Sequence, residues 1–192
     1  MPVLALLGSP RRGGNTETLL HAFIEGGEKA GASFDVIRVS DLNIKPCSAC
    51  DACAITGECI IDDDMQEIYC KIDAAEGLVI ASPIYFGGVS AQLKAVIDRM
   101  QKYWFIYFGR GNKKAGLIPK GRPGYFLGVG GMKNKKYCQC ARTTAETVFL
   151  SSGFSMLGSL CFSGYDAKGA LSADKQALQE IYEGGREFAF RL

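Results

Sequence analysis

One histidine, His21, occurs in 192 residues. A lone imidazole leaves His-rich metal sites without ligands and makes a His-based triad a poor reading. His21 itself reads as a structural residue of a helix. Charge imbalance is also lacking: 22 Lys and Arg face 20 Asp and Glu, a net charge of +2. No global attraction to nucleic acid follows from that balance. No apolar run reaches the roughly eighteen residues that cross a bilayer. The apolar start, Met1 to Pro10, is short, has no basic n-region and runs into Arg11-Arg12, so it does not read as a signal peptide. The expectation is a soluble cytoplasmic protein with no membrane or nucleic-acid partner. Neither G-x-G-x-x-G nor Gly-Lys-Ser/Thr occurs, which removes the commonest dinucleotide and triphosphate loops. Internal repeats and low-complexity segments are lacking as well. With 47% hydrophobic and 22% charged residues, residues 1–192 read as one domain with a sizeable core.

Cysteine, by contrast, is plentiful. Eight are present, and Cys47, Cys50, Cys53 and Cys59 fall within thirteen residues as C-x2-C-x2-C-x5-C. Four thiolates that close can surround one metal centre with little loop-closure cost. Cys-only ligation suits an iron–sulfur cluster or a structural zinc. The two x2 gaps are the ferredoxin-like form, whereas zinc sites usually hold two C-x2-C pairs well apart. The gap of five and Ile60, where a ferredoxin run carries Pro, depart from that form. With no second run, all four would hold one cluster. A site that has lost its metal is the bland alternative. Disulfides are not expected where thiols stay reduced. Four cysteines bracketed by Pro46, Gly57 and acids also make a poor core segment. Cys138 and Cys140, two apart on a helix, diverge and do not share a metal. No role is assigned to these two or to Cys70 and Cys161.

Along the chain, residues 3–7 form an apolar run ended by Gly8-Ser9-Pro10, a strand buried on both faces. A polar Gly-rich loop leads to a helix with Leu19, Leu20, Phe23 and Ile24 on one side. Ser9, Arg11, Asn15 and Thr16 sit in that loop, where hydroxyls, a guanidinium and free N–H groups at a helix start are the parts of a phosphate site. The plain alternative is a turn with an N-cap at Asn15 or Thr16. A second strand spans 34–39. After the cysteine loop at 43–62, Asp62-Asp63-Asp64 reads as a helix start rather than a cation site, with Asp64 and Glu67 as the capping pair of a helix over 65–75. Residues 77–81 form the third strand. Pro83, Ile84, Tyr85, Phe86 and Gly87 follow it before a helix carrying Leu93, Val96, Ile97 and Met100. At the carboxyl end of a parallel strand, that is a place for a flat ligand. Residues 103–108 are strongly aromatic, fit either for core or for a subunit interface. Residues 110–122 hold five basic and no acidic residues. With Lys133, Lys135 and Lys136 they read as a solvated cationic region able to dock an acidic partner. Strands at 125–129 and 154–162 and helices at 138–150 and 173–190 complete the chain. Five strands alternating with helices give an α/β, doubly wound, parallel sheet. In flavodoxin-like order 2-1-3-4-5, the first and third loops meet at the switch point.

Gly8-Ser-Pro-Arg-Arg-Gly-Gly-Asn-Thr16, the cysteine run, Asp63-Asp-Met65, Ser82-Pro-Ile-Tyr-Phe-Gly-Gly-Val-Ser-Ala-Gln-Leu-Lys94 and Asp98-Arg99 together resemble the iron–sulfur flavoproteins. These belong to the NADPH-dependent FMN reductase-like group of flavodoxin folds. The resemblance is specific over most of the first hundred residues. It implies one FMN and one [4Fe–4S] cluster, dimers that pair into tetramers, and electron transfer between a ferredoxin-like donor and a small acceptor such as oxygen or peroxide. It further implies that Ser9, Arg11, Asn15 and Thr16 hold the phosphate, that residues 83–87 line the isoalloxazine, and that the four cysteines hold the cluster. Gly130-Gly131 finds no close match as a third flavin loop. Two rivals are an NAD(P)H-dependent FMN or quinone reductase with vestigial cysteines, and a zinc-stapled binding module.

Overall fold

The computed structural model describes residues 2–109, 118 and 121–192. Five parallel strands run in the order β2-β1-β3-β4-β5. They are β1 (Val3–Leu7), β2 (Phe34–Arg38), β3 (Leu78–Pro83), β4 (Pro123–Gly130) and β5 (Ser155–Ser163). The fold is flavodoxin-like, as expected. β1 and β3 pair Leu4 with Leu78 and Leu7 with Ala81, so both strands deliver their following loops to one edge.

The helices are α1 (Asn15–Lys29), α2 (Ala52–Thr56), α3 (Met65–Ala74), α4 (Ala91–Arg99), α5 (Gln101–Phe108), α6 (Gln139–Ser151) and α7 (Lys175–Ala189). The unbroken apolar run of β1 is explained by its two neighbours. Val3, Ala5 and Leu7 join the layer with Leu19, Phe23 and Phe188 of α1 and α7. Leu4 and Leu6 join the opposite layer, with residues such as Ile68, Leu93 and Phe149 of α3, α4 and α6. A strand covered on both faces has no polar side to show, so alternation disappears from its sequence. α1 and α7 meet backbone to backbone. A Cβ added to Gly26 would lie 1.9 Å from the Tyr182 carbonyl oxygen, and one added to Gly185 the same distance from that of Phe23.

Three expectations change. The start of α3 is not capped by Asp64, whose αR backbone (φ −61°, ψ −10°) aims its side chain away from the N–H groups ahead. Its carboxylate instead accepts from the Asn43 N–H at 2.7 Å, and Glu67 pairs with Lys71. Neither Asn15 nor Thr16 caps α1; Gly14 occupies that position. Arg122 is not part of a solvated cationic loop. Its guanidinium donates to the carbonyls of Ile72, Ala75, Ser152 and Gly153 and lies 4.0 Å over the Phe154 ring. It thus satisfies carbonyls left over at the ends of α3 and α6. The rest of the basic run, apart from Ile118 and Gly121, lies outside the described residues. The aromatic stretch is core only in part. Tyr103 is buried and bonds to Asp73, while Trp104 stacks on Phe108 and stays 41% exposed.

Candidate functional site

At the carboxyl edge of the sheet, the loops after β1, β3 and β4 enclose a cleft of about 770 Å³. All nine residues expected to touch FMN line it: Ser9, Arg11, Asn15 and Thr16 on one side, residues 83–87 on the other. The first wall is built by a turn. The Arg11 N–H donates to Ser9 Oγ at 3.2 Å, and Ser9 and Thr16 are buried beneath it. The opening N–H groups of α1 have no partner within the helix and carry its positive end. Arg12 turns away to pair with Asp41, and Arg38 pairs with Glu17. Arg11 has no ion-pair partner among the described residues. Burial alone would raise the Glu17 carboxyl, but the Gly13 N–H and Arg38 outweigh it and hold it below the usual range. The side chain of Asn15 is committed elsewhere: its amide donates to the carbonyls of Tyr165 and Ala167 and its oxygen accepts from the Leu171 N–H. What it offers the cleft is its backbone N–H.

The second wall is a tight hairpin. Tyr85 and Gly88 exchange backbone bonds of 3.0 and 2.9 Å, with Phe86 (φ 51°) and Gly87 (φ 81°) between them. Two consecutive left-handed residues make this a type I′ turn, a conformation that suits Gly and strains Phe. Phe86 is fully exposed at its tip. Ser90 ties the walls together. It accepts from the Leu93 N–H as the N-cap of α4, while its hydroxyl donates to the Gly8 carbonyl. The third wall was the one that sequence reasoning missed. Gly130, Gly131, Met132, Tyr137, Tyr165 and Asp166 complete the cleft. Gly131 packs close to Asp166: a Cβ there would lie 2.7 Å from Asp166 Oδ1, which would have to swing aside. The Gly130-Gly131 pair after a strand was the available signal.

Cys138, which also lines the cleft, is joined in a disulfide to Cys161 of β5. The expectation of no disulfide concerned Cys47, Cys50, Cys53 and Cys59, and those four are free; Cys138 and Cys161 are two of the cysteines to which the sequence assigned no role. Gly128 makes the room: a Cβ there would lie within 2.9 Å of both sulfurs. Twenty-three residues separate the pair, so spacing could not announce it.

The cysteine loop forms a second hollow. Cys47, Cys50, Cys53 and Cys59 all line it, with Arg99 and Lys102. Ala49 and Asp51 adopt left-handed backbone, which bends the loop around it. Burial, then neighbouring Cys59, Cys47 and Cys50, push the Cys53 thiol up. Four thiolates here would repel one another unless a cation held them, which is the chemistry of a metal site. Among the described residues no three Cys, His, Asp or Glu converge as a ready ligand group. Such sites seldom exist preformed without their metal. Two buried cations line the hollow, each paired with a carboxylate. Lys102 pairs with Glu58 and lies 4.6 Å over the Tyr69 ring, and Arg99 pairs with Asp63. The Asp63 carboxylate also accepts from the N–H groups of Lys45 and Met65. The acidic run is thus a clasp for the loop. α4 begins just beyond the hairpin of the first cleft and ends at Arg99 in this hollow, a rise on the order of 12 Å.

The profile of the NADPH-dependent FMN reductase family matches residues 1–145. The iron–sulfur flavoprotein of Methanosarcina thermophila is 39% identical over 134 residues, 70% of this chain and 65% of that protein. The chain therefore spans slightly less than two thirds of that relative. Among solved structures, the Trp repressor binding protein from Bacillus subtilis aligns at TM-score 0.64 and 25% identity over 94% of this chain and 97% of that one. The NAD(P)H:quinone oxidoreductase from Methanothermobacter marburgensis aligns at TM-score 0.65 and 20% identity over 96% and 94%. That second likeness bears on the fold alone. The chain belongs to the NADPH-dependent FMN reductase family.

Proposed function

We propose that this family member is an FMN-dependent oxidoreductase that carries electrons between a [4Fe–4S] cluster at Cys47, Cys50, Cys53 and Cys59 and FMN in the switch-point cleft. The observation that carries it is the coexistence of two matched sites in one chain: four cysteines around one hollow, and nine flavin-type residues around one cleft. The cleft volume falls within the usual range for cofactor sites. Ser9, Thr16, the first N–H groups of α1 and unpaired Arg11 supply donors and positive charge for a phosphate. The 83–87 hairpin offers backbone and aromatic surface for a flat ring. The cysteine hollow offers four thiolates, two buried cations and an unsatisfied N–H. When bound, the two cofactors would couple one-electron and two-electron chemistry.

The chain's own groups hold, orient and shield. Ser90 fixes the distance between phosphate and ring walls, and the Asp63 clasp fixes the cysteine loop. No side chain is needed as acid or base at the reacting ring. Exposed Lys133, Lys135 and Lys136 rim the third wall and suit an acidic one-electron donor of ferredoxin type. The acceptor would be small, oxygen or peroxide among the candidates, and the protein would work as a homodimer or tetramer. A second reading, direct use of NAD(P)H with idle cysteines, draws on the family's description. The test is anaerobic: the visible spectrum of the protein, with iron, sulfide, zinc and FMN counted per chain. About four irons and one FMN support the two-centre reading. FMN without iron, bleached by NADPH alone, favours the second. Zinc without FMN refutes both.

A further inference from the structure

Among the described residues one buried side-chain nitrogen or oxygen has no partner: Nε of Arg99. The side chain is 0% exposed. Every other nitrogen of its guanidinium is engaged. Nη1 donates to the Lys45 carbonyl at 3.0 Å and to Asp63 Oδ2 at 2.8 Å. Nη2 donates to the Ile61 carbonyl and Asp63 Oδ1, both at 3.2 Å. Lys45 lies just before Cys47 and Ile61 just after Cys59, so one side chain holds both feet of the cysteine loop. Leaving a buried N–H of a cation unsatisfied is unfavourable, and natural structures rarely do so without a reason.

The surroundings narrow the missing acceptor. Arg99 lines the same hollow as the four cysteines, and Cys59 is near enough to act on its charge. The Tyr69 hydroxyl beside Arg99 donates to its carbonyl and keeps an oxygen able to accept, but it makes no hydrogen bond to Nε. Lys102, the second cation of the hollow, is committed to Glu58. The four cysteine sulfurs share the hollow with Arg99 and are the acceptors a bound centre would bring to Nε.

Resting on the cluster reading above, we infer that Arg99 is the positioning residue of the cysteine site: its terminal nitrogens lock the loop feet, and its Nε–H is reserved for a sulfur of the bound centre. A donor to a ligating sulfur withdraws electron density and favours the reduced state, which raises the midpoint potential. Arg99 therefore sets both how firmly the centre is held and how readily it takes an electron. Lysine in its place keeps the charge and loses the fork.

The experiment compares wild type and Arg99→Lys, both full chain, reconstituted anaerobically with iron and sulfide. The variant is expected to keep wild-type FMN content. Its cluster is expected to titrate at a more negative potential and to lose iron to a chelator about 10–100-fold faster. Unchanged potential and unchanged iron release in a folded, FMN-loaded variant overturn the assignment. Should the variant not fold, wild type labelled with [15N]arginine decides. Hyperfine spectroscopy of the reduced cluster is expected to show one coupled arginine nitrogen, and its absence overturns the assignment. Wild type that takes up no iron or sulfide refutes the cluster reading, and Arg99's role with it. A wild-type cluster indifferent to Arg99 refutes the role alone.

Discussion

Replacing Asp63 with Asn keeps the size of the side chain and removes the negative half of a buried pair. Asp63 and Arg99 are 1% and 0% exposed, so the surviving guanidinium cannot turn to water. Breaking such a pair from one side costs about 3–5 kcal/mol. For a domain of this size that lowers Tm by on the order of 10 °C. The pH dependence provides the sharper check. Burial alone would raise the Asp63 carboxyl, but hydrogen bonds from Arg99, Lys45 and Met65 outweigh it and hold it below the ordinary range. A carboxyl depressed by folding stabilises the native state above its unfolded pKa, about 3.9, and that contribution fades as pH falls through the folded value. Asp63→Asn lacks it at every pH. The two proteins should therefore differ by about 3–5 kcal/mol near neutrality, and the gap should start to narrow below about pH 3.9, by about 1 kcal/mol at pH 3. Urea denaturation from pH 7 to pH 3 with an unchanged m-value measures this. A gap below about 1 kcal/mol at pH 7, or one that persists undiminished into acid, refutes the reasoning.

Gly26→Ala should cost about 3 kcal/mol by denaturant unfolding, because its Cβ meets the Tyr182 carbonyl at 1.9 Å and backbone cannot yield as a side chain would; wild-type stability refutes the close helix contact. Cys50→Ser should abolish the broad visible absorption of the cluster and keep FMN, and unchanged iron content sinks the ligand assignment. Phe86→Gly should stabilise the apo-protein by about 0.5–1 kcal/mol by relieving left-handed strain. It should also weaken FMN binding in a fluorescence titration, because the exposed ring lines the cleft; equal affinity removes Phe86 from the site. Ser90→Ala should lose about 1 kcal/mol of cap stability and, with the Gly8 tie gone, raise the FMN Kd; loss of stability alone would make Ser90 only a cap.

What the sequence disclosed and what it hid follow from the range of the interactions. Strand order was legible because apolar runs such as 3–7 and the Gly-rich loops after them are local, and their alternation with helices leaves few topologies. The cysteine hollow was legible because its four cysteines are neighbours in the chain. Asp64 was misread because a carboxylate at a helix start looks alike whether it caps the helix or accepts from an N–H 21 residues back; Asp63, read with it as part of the helix start, accepts from the Met65 N–H and also clasps an arginine 36 residues on. Arg122 was misread for a similar reason: membership of a basic run says nothing about four carbonyls that only the folded sheet brings to it. The disulfide between Cys138 and Cys161 depended on a glycine in a third segment.

The two sites share one beam. α4 is pinned at its start by Ser90, which reaches the Gly8 carbonyl beneath the phosphate wall, and at its end by Arg99, which grips both feet of the cysteine loop. Between them Leu93 and Val96 are wholly buried against the sheet. A helix held at both ends and packed along its length keeps the two loops at a fixed separation. Of the Asp98-Arg99 pair, Asp98 makes an exposed ion pair with Lys94, whereas Arg99 carries the clasp.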